Sequence, residues 1–424
     1  MPMLARTIAL SLVANWVASE NITGLTGKVA CERAFPAVFL DPLGAAACLA
    51  LLGLVLAPCV GSSSTFTQVA IGRYGVFVGG LASLESLLGS VLWAGAQYRA
   101  VLELARGMDV IPEHALEPTV VVGLLTWTLA GGLVADVWLD SASMLLVVPC
   151  LCAIGAVAMF RTPAAAIAAE AEHALVAIPT LSAADTFAVG FLGNLFTEEL
   201  AGRILLAGSP KQARLACFAA SILFAVVGLA PAALGVWARS APGVLVNADG
   251  GSLCQDDGQD QILAAALQAL LPAGWRVSQK LLFVVLMIES LNTVDTSVLM
   301  IAEVASLRFP PDYRAAPWLA AALAAAALAL VAGVSRIGDN VWDLGEQAVA
   351  AVGAPLAVLC LFLPFPPAYP DHTAMFIGMV AAHVVFVAAS LSKVAPPFLF
   401  AVGAGALVYA VTHRLALSVY APHR

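Results

Sequence analysis

The stretch Ala14–Gly27, "ANWVASENITGLTG", lies inside the first long apolar run of the chain, yet it carries Asn15, Glu20, Asn21, Gly24 and Gly27. Lipid-facing sequence would have Leu and Val at these places. Carboxylates and amides are expensive at bilayer depth unless they face a bundle interior, pair with one another or line a pathway. Glycine weakens a helix at the same point. A run that is apolar, then polar and Gly-interrupted, then apolar again reads as a spanning helix that is broken.

The rest of the composition agrees with a membrane setting. Hydrophobic residues make up 61% of the 424 and charged residues 11%, against the ~25% charged residues of a soluble domain. Mean hydropathy is +0.95. Runs of roughly 20 residues, long enough to cross the hydrocarbon as helix, number about twelve. They are Thr7–Ala30, Leu43–Val60, Val76–Leu104, Thr119–Leu139, Ser141–Phe160, Ala184–Leu206, Arg214–Val236, Leu281–Leu307, Ala316–Val334, Val341–Leu363, Met375–Leu391 and Pro397–Leu415. The chain therefore reads as an all-α, multi-pass integral membrane protein, with a plasma or cytoplasmic membrane as its expected place.

A single transmembrane domain, 1–424, follows, because no polar block between spans is long enough to fold alone. The longest block, Arg239–Lys280, holds the acidic residues Asp256, Asp257 and Asp260, then "QILAAALQALLPAGW", an amphipathic or re-entrant helix expected to cap the bundle. No cleavable signal peptide is expected at the first run. The net charge of −8 is spread over loops and suggests no nucleic-acid partner. Counting Lys and Arg per loop does not settle orientation, although the clusters at Lys211/Arg214 and Arg308/Arg314 favour an N-terminus inside. The eight cysteines show no metal-ligand spacing and read as small apolar fillers. A Cys31 to Cys254 bridge is conceivable if both loops face outward.

Polar residues at membrane depth recur in three further places. "GFLGNLFTEELAGR", Gly190–Arg203, repeats the broken pattern in the sixth span with Asn194, Thr197, Glu198 and Glu199. Paired broken helices at matched positions are the best sequence pointer to a secondary transporter's binding site; the glycines would equally permit close helix packing. "ESLNTVDTS", Glu289–Ser297, puts Glu289, Asn292 and Thr293 on one helix face and Asn292, Asp295 and Thr296 on an overlapping one. Hydroxyls, amide oxygens and unwound carbonyls are what a dehydrated Na⁺ takes as ligands; a polar packing seam is the other reading. Asp140 falls between the fourth and fifth spans, as an N-cap of the fifth or as a carboxylate on an ion path. Both readings stand on the sequence alone. No HExxH, phosphate loop or GxSxG is present and the six histidines lie apart, so no enzyme is expected.

Taken in order, several segments resemble the sodium:solute symporter family, the sodium/glucose and sodium/proline type. The opening stretch is similar to that family's first core helix, "RYG" at Arg73–Gly75 to the loop before the third core segment, and Gln97 to a recurring Gln late in it. "GGLVADVWLDS" resembles the family's Gly-Gly-Leu then Trp-Thr-Asp pattern. "GN…EELAGRILLAGSPKQAR" and "LNTVDTSVL" resemble two later signatures. The resemblance runs from Ala14 to about Pro310.

It implies a LeuT-like 5+5 inverted-repeat core with broken first and sixth helices. The first repeat would span 7–160, the second 184–363, and 375–415 would be two additional C-terminal helices. Carried over residue by residue, it implies a Na⁺ site from the carbonyls of Ala14, Val17 and Glu289 and the side chains of Asn292 and Thr293. Asp295 and Thr296 would support that site, and Asp140 would lie on the ion path. Solute would meet Glu20, Asn21 and Gly24 on one broken helix and Asn194, Thr197 and Glu198 on the other. The implied activity is Na⁺-coupled symport, with H⁺ as a possible coupling ion, of a small polar neutral, zwitterionic or cationic solute.

Three departures keep alternatives open. Asn292 stands where the family has Ser, Trp16 where some members carry an acidic ion ligand, and the sequence starts almost directly on the first core helix. A transport-inactive sensor or scaffold of the same fold, and a proton-coupled or ion-independent carrier, therefore remain beside the symporter.

Overall fold

The computed structural model describes residues 4–17, 19–32, 35–63, 65–108, 112–130, 132–177, 180–196, 198–246, 252–254, 259, 261–272, 276–306, 317–336, 341–362, 372–392 and 397–420. Among them the regular structure is helical, with one isolated bridge between Val246 and Ser252. Helix covers the first expected span on both sides of position 18, as α1 (Ala5–Val17) and α2 (Ser19–Glu32). α3 (Phe35–Val55), α4 (Phe66–Met108), α5 (Glu113–Ala130) and α6 (Gly132–Arg161) follow, then a short connecting helix α7 (Ala164–Ala177). The sixth span is divided, into α8 (Leu181–Leu192), a 3-10 turn Gly193–Phe196 and α9 (Glu198–Leu205). After it come α10 (Pro210–Val227), α11 (Leu229–Ser240), α12 (Ile262–Leu270) and α13 (Arg276–Ser306). The chain closes with α14 (Pro317–Val334), α15 (Val341–Phe362), α16 (His372–Leu391) and α17 (Pro397–Tyr420).

Among the described residues, six helical stretches are long and apolar enough to cross a membrane: Phe66–Arg106, Leu133–Arg161, Pro210–Ser240, Lys280–Ser306, His372–Leu391 and Pro397–Leu415. The other six expected spans are present as helices that are shorter, broken or more polar. The boundary expected at Asp140 is corrected. α6 starts at Gly132 and runs unbroken through Asp140, so this residue lies mid-helix and caps nothing. α5 is described to Ala130 and α6 from Gly132.

Polarity is inverted relative to a soluble domain. Phe77, Phe160 and Leu391 are at least 80% exposed, whereas Asp136, Asp140, Glu199, Arg203, Glu289 and Asp295 are at most 1% exposed. A surface of large apolar side chains around a charged interior is the arrangement expected of an integral membrane protein.

Small residues let the helices approach. A Cβ on Gly44 would meet the Phe187 carbonyl at 2.4 Å, and one on Gly190 would meet the Asp41 carbonyl at 2.4 Å, so α3 and α8 touch backbone to backbone. Gly190 thus serves packing rather than unwinding. Gly193 and Gly353 bring α15 equally close to the 3-10 turn of the sixth span. In α4, Gly75 has φ +79 and interrupts an otherwise continuous helix, a conformation that L side chains adopt at a cost.

α1 and α13 form the centre. α1 is buried from Leu12 to Val17 and packs on α10, α6, α9 and α13; α13 packs along α4 and α6. α3 pairs with α8 while α1 pairs with α10. α12 lies against α2, α11 and α13 through Ile262, Leu263, Ala266, Leu267 and Leu270, which is the expected amphipathic cap. Cys31 at the end of α2 is bonded to Cys254 in the segment before α12, with Cα atoms 5.3 Å apart. Reading all the cysteines as fillers is therefore corrected for this pair. Asp256, Asp257 and Asp260 lie outside the described residues.

Candidate functional site

α6 presents Asp136 and Asp140 on one face, four residues apart, and α13 presents Asn292 and Thr296 at the same spacing. The two faces meet in antiparallel register. Asn292 Nδ2 donates to Asp140 Oδ1 and to the Asp136 carbonyl, and Thr296 Oγ1 lies 3.3 Å from Asp136 Oδ2. Into this seam α9 inserts Arg203, the only Lys or Arg among the buried side chains described.

Every nitrogen of its guanidinium has a partner. Nε donates to Ser11 Oγ of α1 at 2.8 Å and lies 3.3 Å from Asp140 Oδ2. Nη2 donates to Asp140 Oδ2 at 3.0 Å and to Thr296 Oγ1 at 3.1 Å, and Nη1 reaches the Glu199 carbonyl at 3.2 Å. Ser11 Oγ donates to the same Asp140 oxygen at 2.5 Å. One knot therefore ties α1, α6, α9 and α13. Beside it, Trp127 Nε1 donates to Asp136 Oδ1 at 3.3 Å and Thr128 Oγ1 donates to Asp295 Oδ1, which joins α5 to the cluster.

The charge balance is uneven. Asp136, Asp140, Glu199, Glu289 and Asp295 are buried around a single guanidinium. Both carboxylate oxygens of Glu199 and of Glu289, and Asp295 Oδ2, have no hydrogen-bond donor. A buried carboxyl group without a donor is costly to hold in its charged form.

The residues expected at the ion site fall close to this seam. Ala14 and Val17 are buried in the last turns of α1. Trp16 turns away from α13: its ring centroid lies 5.1 Å from that of Phe224 on α10. Thr293 Oγ1 donates back to the Glu289 carbonyl at 3.1 Å, leaving its lone pairs free to accept a cation. Asn292 Oδ1 and Asn15 Oδ1 are buried without partners. Among the described residues no three His, Cys, Asp or Glu side chains are placed as a metal cage. The oxygens on offer are carbonyl, amide and hydroxyl, a set that fits a hard monovalent cation.

The residues expected to meet solute divide. Asn21 Nδ2 donates to the Trp16 carbonyl at 2.5 Å. Gly24 is buried within α2. Asn194 Nδ2 donates to the Gly190 carbonyl at 3.1 Å. Glu198 accepts from Phe66 N at 2.6 Å, Thr67 N at 2.8 Å and Thr67 Oγ1 at 2.5 Å, so both its oxygens hold the N-terminus of α4. An anion at a helix N-terminus satisfies orphan amides and complements the dipole. The Glu20 side chain and Thr197 lie outside the described residues.

Ser11, Thr128 and Asp136 have no role in the sequence analysis, and Arg203 enters it only as the end of the sixth-span stretch. A lone Arg and a lone Asp in two apolar spans were signal enough that each needed a partner.

No protein-family model matches the chain, and no curated protein sequence does. Among solved structures it is similar to a Na⁺-coupled sialic acid symporter in its substrate-bound, outward-open state. The TM-score is 0.73 at 16% identity, over 99% of this chain and 90% of that one. At this identity the likeness is one of fold: the chain folds like that symporter.

Proposed function

We propose that this chain is a Na⁺-coupled symporter of a small polar solute, of the sodium:solute symporter type, working by alternating access. The observation that carries the reading is the unpartnered, buried Asn292 Oδ1 beside Thr293 and the Glu289 carbonyl, on the helix packed against the end of α1. Na⁺ bound by these groups with the carbonyls of Ala14 and Val17 would join α1 to α13 and favour one arrangement of the bundle. Solute affinity then rises, and the coupling is reciprocal.

The 3-10 turn that divides the sixth span, matching the break expected in the first, supports an inverted repeat of 7–160 and 184–363, with 375–415 appended. The exchange of packing partners, α3 with α8 and α1 with α10, supports it too. In this reading Glu198 acts through the start of α4, and solute meets the ends of the broken helices near Asn21, Gly24 and Asn194. The Cys31–Cys254 bridge requires an oxidising compartment. We therefore assign α12 and the end of α2 to the outer face and the N-terminus to the inner one.

A second reading has one observation in its favour. Arg203 already neutralises Asp140, which suits an ion-independent carrier or a transport-inactive solute sensor. Uptake into proteoliposomes with and without an inward Na⁺ gradient separates the two. The symporter accumulates solute only with the gradient; the carrier equilibrates it regardless, and the sensor takes up none.

A further inference from the structure

The last two helices, α16 and α17, pack tightly on each other. A Cβ on Gly378 would meet the Gly405 carbonyl at 3.0 Å, and one on Gly405 would meet the Gly378 carbonyl at 2.7 Å. Each also meets a carboxylate of an earlier helix. At the start of α17, Leu399 N donates to Asp185 Oδ1 of α8 at 2.8 Å, a joint with no imidazole in it. On α16, His383 Nδ1 lies 3.5 Å from Glu85 Oε1 of α4.

Both members of that second pair sit at bilayer depth. His383 follows the first residue of α16 by eleven positions, about 17 Å along a 20-residue helix, and Glu85 falls within the apolar stretch Phe66–Arg106. The Glu85 side chain is 9% exposed and the imidazole 41%. The ring therefore opens outward along one edge while Nδ1 is buried facing Glu85, with no hydrogen-bond partner elsewhere. Ionisable side chains at this depth are rare and need a partner.

The helices around the pair bring few competitors. α16 is packed by α17, α15 and α4. α17 carries Tyr409, which meets Gly378 more than a turn before His383 and stacks on His413, and Arg414 beyond it. The side chains of Asp343 and Glu346 on α15 lie outside the described residues. Around α4, α13 carries the buried acids Glu289 and Asp295 and α9 carries Glu198 and Glu199. Among the described charges it is His383 that acts on Glu85.

We propose that Glu85 and His383 bind one proton between them and that this proton latches α16 onto α4. The inference goes beyond the proposed function and needs neither Na⁺ nor solute. With one proton the pair has no net charge, whichever side chain holds it. A carboxylate beside an imidazolium and a carboxyl O–H donating to Nδ1 both close the contact. Removing the proton leaves a buried carboxylate against a neutral ring, a charge without a partner. The latch is thus present while the proton is bound and is lost as pH rises and takes it away. Imidazole ordinarily changes charge between about pH 5 and 8, and the exposed edge of the ring gives the proton its way in and out. The same helix also reaches the interruption in α4. A Cβ on Gly75 would meet the His372 imidazole at 3.6 Å. α16 accordingly braces α4 at the interruption and again ten residues further on, and the proton sets how firmly.

The test uses the purified full-length protein in lipid nanodiscs at fixed Na⁺, at about pH 6 and about pH 8.5, either side of the imidazole range. It reads hydrogen–deuterium exchange of the α16 amides, corrected for the intrinsic effect of pH on exchange, and the melting temperature. In the parent, α16 exchange should be about tenfold faster at the higher pH, the scale of one lost hydrogen bond to a charged group, and the melting temperature lower. Both differences should vanish in Glu85→Gln, which cannot ionise, and in His383→Gln, whose amide donates without titrating. His173→Gln, an exposed imidazole on α7, should keep the parent's profile. The parent profile needs no variant to fold. Exchange in α16 that ignores pH in the parent overturns the inference. So does a pH difference that survives in both Glu85→Gln and His383→Gln, or one that His173→Gln removes equally well.

Discussion

Arg203 Nη2 lies 3.0 Å from Asp140 Oδ2, and both side chains are buried to within 1%. Sixty-three positions apart in sequence, they are joined at the meeting of α1, α6, α9 and α13. Breaking a buried pair by removing one partner leaves an uncompensated charge, which costs about 3–5 kcal/mol. Arg203→Met should therefore strongly destabilise the detergent-solubilised protein, visible as loss of the monodisperse peak and a lowered melting temperature. Asp140→Asn combined with it should recover most of that loss. A single variant as stable as the parent would show that the knot is not structural.

Glu198 gives a second prediction, because its oxygens hold the first amides of α4. Glu198→Gln should cost stability on the scale of a helix cap, ~1–2 kcal/mol. It should lower maximal transport without a selective change in solute affinity. A raised KM at unchanged stability would instead place this carboxylate on the solute.

The ion site yields a third. Thr293→Ala removes a hydroxyl that is poised on the Glu289 carbonyl. It should raise the Na⁺ concentration for half-maximal transport about tenfold, the equivalent of ~1.4 kcal/mol. Thr293→Ser, which keeps the oxygen, should stay near the parent. Equal Na⁺ dependence in all three proteins would remove Thr293 from the site.

The Cys31–Cys254 bond supplies a fourth. In intact cells a membrane-impermeant maleimide should label neither cysteine until an impermeant reductant is added outside, after which both should react. Labelling only after permeabilisation would invert the assigned orientation.

Much of the architecture is legible in the chain because bilayer depth sets helix length, and because polar residues and glycines interrupting an apolar run mark where a spanning helix divides. What the sequence leaves open is which partner each buried charge finds. Asp140 sits beside Ser141 after "VWL" and looks like a cap, yet α6 passes through it because Arg203 and Asn292 meet its charge. Glu198 and Glu199 are neighbours in sequence but lie on different faces of α9, so one holds the end of α4 and the other is left without a donor. No local pattern distinguishes them. Trp16 stands in the way of an ion beside Val17 only until Phe224 is seen to take its ring. Cys31 and Cys254 are separated by 223 positions, and only the packing of α12 on α2 brings them together.

Binding of radiolabelled sodium to the purified protein tests the central claim most directly, since it needs no knowledge of the solute. The account predicts saturable binding displaced by unlabelled Na⁺ but not by K⁺, and abolished when Asn292→Ala and Thr293→Ala are combined in a protein that remains monodisperse. The absence of saturable binding, or binding unchanged in that double variant, would contradict it.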